Sequence, residues 1–167
     1  EKIYSYKDDT LESAIGAIFR GSGKTLSAAE SCTGGKISSL ITSVPGSSEY
    51  YLGSVTSYAI PVKEKVLGVP GSTINEHGVV SSEVAAAMAE GVRKLTGSDY
   101  AVSTTGLAGP GGDESNPVGT VWIGVAGPNG TRTVKKVYKN DRNRNIERFA
   151  AAALDELRLL VLEDLSK

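Results

Sequence analysis

Ala29-Glu30-Ser31-Cys32-Thr33-Gly34-Gly35 reads as the end of a β-strand running into a glycine-opened helix start. A hydroxyl, a thiol and several backbone N–H groups meet there, so the turn can present a nucleophile and bind an anion in one place. Upstream, residues 25–29 read as the strand itself. Residues 8–20 place Leu11, Ala14, Ile15, Ile18 and Phe19 on one helical stripe, capped by Asp9 or Thr10 and stopped by Gly21 and Gly23. Downstream, a helix over 34–42 turns Ile37, Leu40 and Ile41 inward and ends before Val44-Pro45-Gly46.

Further along, residues 50–58, rich in Tyr, Val and Thr, read as extended. Pro61 suits the first position of a short helix over 61–67. After a loop containing Pro70 and His77, Ser81 caps a helix whose Val84, Met88, Val92 and Leu95 recur every three or four residues, and Gly97 closes it. A strand over 100–104 precedes a Gly- and Pro-rich loop over 107–116. Two more strands, 119–126 and 131–138, are joined by Gly127-Pro128-Asn129-Gly130, a hairpin signal. The last helix, 141–162, faces Ile146, Phe149, Ala153, Leu157, Leu160 and Val161 inward. The order α-β-α-β-α-α-β-β-β-α implies an α/β fold, a three-layer α/β/α sandwich with a mixed sheet. With no linker or repeat, residues 1–167 are expected to form one domain.

Composition narrows the chemistry. Eighteen basic against nineteen acidic residues leave a formal charge of -1, so no broad electrostatic footprint for nucleic acid exists and any anion must be held by a local pocket. Cys32 is the one cysteine and His77 the one histidine, which excludes a disulfide within the chain and disfavours a tetrahedral metal site. No run of about 18 apolar residues occurs, and Glu1-Lys2-Ile3-Tyr4 lacks a signal-peptide core, so the expectation is a cytoplasmic protein with no membrane partner.

Ser31 is a weak nucleophile until a base takes its proton, and histidine is almost unavailable here. A neutral lysine is the alternative. Lys63, in the first turn of the helix opened by Pro61, has its ammonium disfavoured by the helix terminus by only about 0.3–1 kcal/mol, so burial must supply the rest. Tyr58, at the end of the preceding strand, is placed to relay a proton between Ser31 and Lys63. On spacing alone, such a lysine is as a rule a solvated surface residue and such a tyrosine core or rim. Thr33-Gly34-Gly35 and Thr105-Gly106-Leu107-Ala108-Gly109-Pro110-Gly111-Gly112 can each hold an oxyanion or a phosphate, or be plain loops needing positive φ. Cys32 is a rival nucleophile or a buried structural thiol. Arg142 can pair with a phosphate or stand exposed beside Arg144 and Arg148.

Taken together, these motifs resemble the C-terminal domain family of the competence/damage-inducible protein CinA. The likeness rests on 29–35, Pro45-Gly46-Ser47-Ser48, Gly53-Ser54-Val55-Thr56-Ser57-Tyr58 with Lys63 five residues on, and His77-Gly78-Val79-Val80-Ser81. It continues through 105–112, Pro117-Val118-Gly119-Thr120-Val121 and Asp141-Arg142, and runs in order from about residue 10 to about residue 160. Asn140 stands where the family often has Gly, and Pro61 lies inside the Tyr-to-Lys spacer. Stand-alone members are nicotinamide mononucleotide deamidases. The resemblance implies hydrolysis of that carboxamide to nicotinate mononucleotide and ammonia, in pyridine nucleotide recycling, with no cofactor or metal. It places the nucleophile on Ser31, its partners on Lys63 and Tyr58, and the substrate pocket on Thr33, Gly34, Gly35, Ser48, Thr105, Gly106 and Arg142.

The expected mechanism is acyl transfer through Ser31, with Lys63 as base, Tyr58 assisting and backbone N–H groups of 33–35 or 105–106 holding the oxyanion. Cys32 as nucleophile is a second reading. A non-catalytic nucleotide-binding or interaction module tied to competence or DNA damage is a third, and the presence of Ser31, Tyr58 and Lys63 favours the enzyme. Apolar helix faces and an exposed strand edge make a homodimer the expected assembly.

Overall fold

The computed structural model describes residues 10–167. Asp8 and Asp9, part of the expected first helix, lie outside the described residues. Helix α1 (Leu11–Ser22) begins at Thr10, whose hydroxyl accepts from Ser13 N at 3.2 Å, and ends at Gly23 in the left-handed conformation. Strand β1 (Leu26–Glu30) leads to α2 (Lys36–Thr42), a short 3₁₀ turn (Ser47–Glu49) and β2 (Tyr51–Thr56). Helices α3 (Ile60–Lys65), α4 (Gly71–His77) and α5 (Ser82–Thr96) follow, then β3 (Tyr100–Gly106), β4 (Thr120–Gly127), β5 (Gly130–Val137) and α6 (Arg142–Leu165).

One five-stranded sheet runs β2-β1-β3-β4-β5. β1 pairs parallel with β2 and β3, while β3/β4 and β4/β5 are antiparallel, so the sheet is mixed. Leu26 and Ala28 of β1 join Phe19, Ile37, Phe149 and Leu157 in a core under α1, α2 and α6. Ala29 and Ala101 face the other way, onto Val84, Met88 and Val92 of α5 and Ile74 of α4. The alternation along β1 divides two cores, and the three-layer sandwich follows. α5 lies close against β4: a Cβ at Gly124 would sit 2.4 Å from the carbonyl oxygen of Ala85.

Several boundaries differ from expectation. α4 stands where a loop was expected, because seven residues bearing one buried apolar side chain, Ile74, are too few to show a period. Thr105 and Gly106 belong to β3, paired with Trp122 and Val121, and not to the glycine loop. Gly127 pairs with Gly130, so the hairpin turn is two residues, Pro128-Asn129. Ile60, ahead of Pro61, opens α3. Leu95 is exposed, since the buried stripe of α5 ends at Val92, one turn before Gly97.

Candidate active site

From β1 the chain passes to β2, and from β3 to β4, in opposite directions along the sheet. A crevice therefore opens between the carboxyl ends of β1 and β3, the usual ligand position in such sheets. It holds a cavity of about 300 Å³. Ser31 and Cys32 line it just past the end of β1, Thr105 and Gly106 from the end of β3, residues 107–109 from the loop that follows, Val79 and Val80 from the approach to α5, and Tyr58 and Arg142 from the flanks.

Lys63 reaches Ser31 at the mouth of β1. Its Nζ lies 3.0 Å from Ser31 Oγ, with the carbonyl oxygens of Ser57 and Tyr58 (3.3 Å) as its other neighbours. The residue is 1% exposed, and burial pushes its ammonium below the ordinary lysine value of 10.5, the nearby Cys32 opposing the shift. Desolvation, not the end of six-residue α3, is the dominant cause. The two carbonyls are obligate acceptors and take two N–H groups, so a neutral amine turns its lone pair to the Ser31 hydroxyl. That is the arrangement of a general base on a serine.

The 31–35 turn is held from behind. Gly34 (φ 59°) and Gly35 (φ 105°) adopt left-handed conformations that a side chain would strain, and the chain winds over itself through Gly34 N to Ser31 O and Lys36 N to Thr33 O, both 3.0 Å. The carboxylate of Glu30, fully buried, accepts from Thr33 Oγ1 (2.6 Å) and from the N–H groups of Gly35 (3.2 Å), Ile37 and Ser38 (both 2.9 Å). The anion at this helix start is thus the protein's own. Thr33 also meets Thr104 Oγ1 at 2.9 Å, tying the turn to β3. The amides of Cys32 and Thr33 donate to no other residue among the described residues.

The remaining expected residues divide. Tyr58 is exposed at the cavity edge; its hydroxyl accepts from Arg142 Nη2 at 3.2 Å rather than bridging Ser31 and Lys63. Arg142 Nη1 donates to Gly109 O at 2.6 Å, so the guanidinium joins the rim to the glycine loop. Thr105 donates its hydroxyl hydrogen to Val79 O at 2.8 Å and, with Gly106, forms the cavity wall. Thr33, Gly34, Gly35 and Ser48 lie outside the lining, Ser48 exposed on the 3₁₀ turn. Burial pushes the Cys32 thiol up to about 12, away from the thiolate that a cysteine nucleophile needs. His77, at the end of α4, faces Glu83 at 3.5 Å and Glu76 at 3.8 Å, away from the cavity.

Three contributors carried no signal strong enough to single them out. Glu30 sits inside the quoted motif, yet nothing in sequence shows that its donors come from both sides of a double-glycine turn. Asn145, 1% exposed, donates to Ala108 O at 2.9 Å and Asn140 O at 3.0 Å, clamping the loop to α6. An amide on the inward face of a helix's first turn was its only mark. Asp113 closes the loop by accepting from Ser115 N and Asn116 N at 2.8 and 2.7 Å and lines the cavity.

Residues 8–161 match the CinA C-terminal domain family. A CinA-like protein of Salinibacter ruber is 50% identical over 159 residues, which are 95% of this chain and 39% of that protein. One from Geotalea uraniireducens is 44% identical, over 96% of this chain and 39% of its own length. This chain spans about two fifths of the length of those relatives. Among solved structures, a competence/damage-inducible protein of Agrobacterium tumefaciens superposes with a TM-score of 0.87 at 33% identity, covering 90% of this chain and 93% of that one. A CinA superfamily protein of Klebsiella pneumoniae reaches 0.89 at 27% identity, over 92% and 96%.

Proposed function

The chain belongs to the CinA C-terminal domain family, and on that footing we propose that it is an amidohydrolase that converts nicotinamide mononucleotide and water to nicotinate mononucleotide and ammonia. The observation that carries this reading is the buried Lys63 Nζ at 3.0 Å from Ser31 Oγ, held by two carbonyl oxygens.

Lys63 takes the Ser31 proton as Oγ bonds to the amide carbon. The oxyanion is received by the N–H group of Cys32, the amide next after the nucleophile and part of the cavity lining. The C–N bond then breaks, and protonated Lys63 gives its proton to the departing nitrogen, which leaves as ammonia. Water repeats the sequence on the acyl-serine: its proton goes to Lys63, the ester bond breaks, and Ser31 Oγ recovers a proton. The apolar wall of Val79, Val80 and Leu107 suits a flat ring. Arg142, at the rim, is placed for the phosphate.

Ammonia release from nicotinamide mononucleotide tests the reading. Wild type is expected to turn the substrate over and Ser31→Ala to lose it by about 10⁴-fold or more. Near-normal release by Ser31→Ala would sink the serine mechanism, and no release by wild type would sink the substrate.

A further inference from the structure

We propose that Glu30 is the positioning residue of the Ser31–Lys63 pair, fixing the nucleophile through its side chain and the base through its backbone. The proposal rests on the serine–lysine reading above. Glu30 ends β1 on the same face as Leu26 and Ala28, so its side chain is directed beneath α2 and stays out of the cavity lining. It is fully buried, and all four of its partners are donors: Oε1 receives Thr33 Oγ1, Gly35 N and Ile37 N, and Oε2 receives Ser38 N. Those bonds fix the two turns that carry the chain away from Ser31.

The backbone carbonyl of the same residue accepts from Ser57 N at 2.7 Å and Ser57 Oγ at 3.4 Å. Ser57 in turn offers its own carbonyl oxygen to Lys63 Nζ. Both ends of the 3.0 Å contact are therefore referred to one residue: Ser31 is its covalent neighbour, and Lys63 is two hydrogen bonds away. A second consequence follows for the ligand. The N–H groups at the start of α2 are taken by Glu30, so the substrate's negative groups are directed to the Cys32 amide and to Arg142.

A carboxylate is required by the donor set. Glutamine would keep Oε1 as an acceptor for three partners, but its Nε2 would meet Ser38 N–H donor to donor. Alanine would leave the three N–H groups unpaired and the Thr33 hydroxyl with Thr104 alone. The order expected for reactivity per active site is wild type, then Glu30→Gln, then Glu30→Ala.

The test measures kcat and KM for nicotinamide mononucleotide together with the rate of Ser31 sulfonylation by phenylmethylsulfonyl fluoride, followed by intact mass. That second readout needs no substrate. Glu30→Gln is expected to lower kcat and the labelling rate by the same factor, about 10 to 100-fold, with KM within about threefold. Ile41→Val, on the buried face of α2, serves as a destabilised control that lowers Tm and leaves the rate per labelled site unchanged. If Glu30→Gln behaves like that control, with lowered Tm but an unaltered labelling rate, the proposal is overturned. Should Glu30→Ala fail to fold, the isosteric Glu30→Gln decides alone. Wild type that is labelled at Ser31 but hydrolyses no nicotinamide mononucleotide overturns the substrate reading instead, and the labelling rates still judge Glu30.

Discussion

A neutral lysine amine has two N–H groups and one lone pair, and the surroundings of Lys63 supply two carbonyl acceptors and one hydroxyl. The pH dependence of activity follows from that match. Only the deprotonated amine accepts from Ser31, so kcat/KM rises with pH through the Lys63 ionisation, and burial sets that acid limb below the 10.5 of an ordinary lysine. Lys63→Arg keeps a cation that never deprotonates in the working range and is expected to lose about 10³-fold in kcat/KM, with no limb left to measure. A pH–rate profile of both proteins checks this, and an arginine variant retaining a tenth of the activity would refute the base assignment. Position in a strand-to-helix turn and beside a helix start made Ser31 and Lys63 candidates, but spacing alone favoured a surface lysine, and the family resemblance was what paired them. The hydroxyl direction of Tyr58 was not legible in sequence, since a tyrosine side chain spans enough distance to serve either Lys63 or Arg142, and only the fold selects Arg142.

The cavity depends on α6 as much as on the sheet, because the first turn of α6 holds the 107–112 loop in place. Asp141 caps the helix by accepting from Arg144 N at 2.9 Å, which aims Asn145 inward at Ala108 O and Asn140 O. Asn145→Ala leaves the buried carbonyl of Ala108 without its donor and is expected to cost about 1–3 kcal/mol of stability. Chemical denaturation measures that loss. Because the same bond anchors the loop, KM for nicotinamide mononucleotide is expected to rise about tenfold while the Ser31 labelling rate holds, the contact of Ser31 with Lys63 being made elsewhere. A stability loss with unchanged KM would separate the clamp from the pocket. Long periodic elements such as α1, α5 and α6 were readable from their apolar stripes. α4 and the last two residues of β3 were not: one is too short for a period, and the other ends in Gly106, which reads as loop until its pairing with Val121 is seen.

Across the whole molecule, the buried site leaves a signature in how stability varies with pH, and two neighbouring groups write it with opposite signs. The Cys32 thiol moves from 9.0 in the unfolded chain to about 12 in the folded one. Above pH 9.0 the folded state therefore keeps a proton that the unfolded state has lost, and this group makes stability fall as pH rises. Lys63 is lowered from 10.5, so between its folded value and 10.5 the unfolded state holds a proton that the folded state lacks, and this group makes stability rise with pH. Each slope is at most about 1.4 kcal/mol per pH unit, or roughly 3–5 °C in Tm for a chain of this size. Where the windows overlap the two offset one another, and wild type changes little on their account. Tyr50, Tyr51 and Tyr100 are raised from 10.0 and add a further fall at higher pH, common to every variant and absent from differences between them. Thermal melts at about pH 8, 9 and 10 separate the two groups. Relative to wild type, the Tm of Cys32→Ala is expected to climb with pH because only the rising contribution remains. That of Lys63→Met is expected to drop because only the falling one does. Melting curves that stay parallel across this range would show that neither group is desolvated on folding, and would remove the electrostatic basis for a neutral lysine beside Ser31.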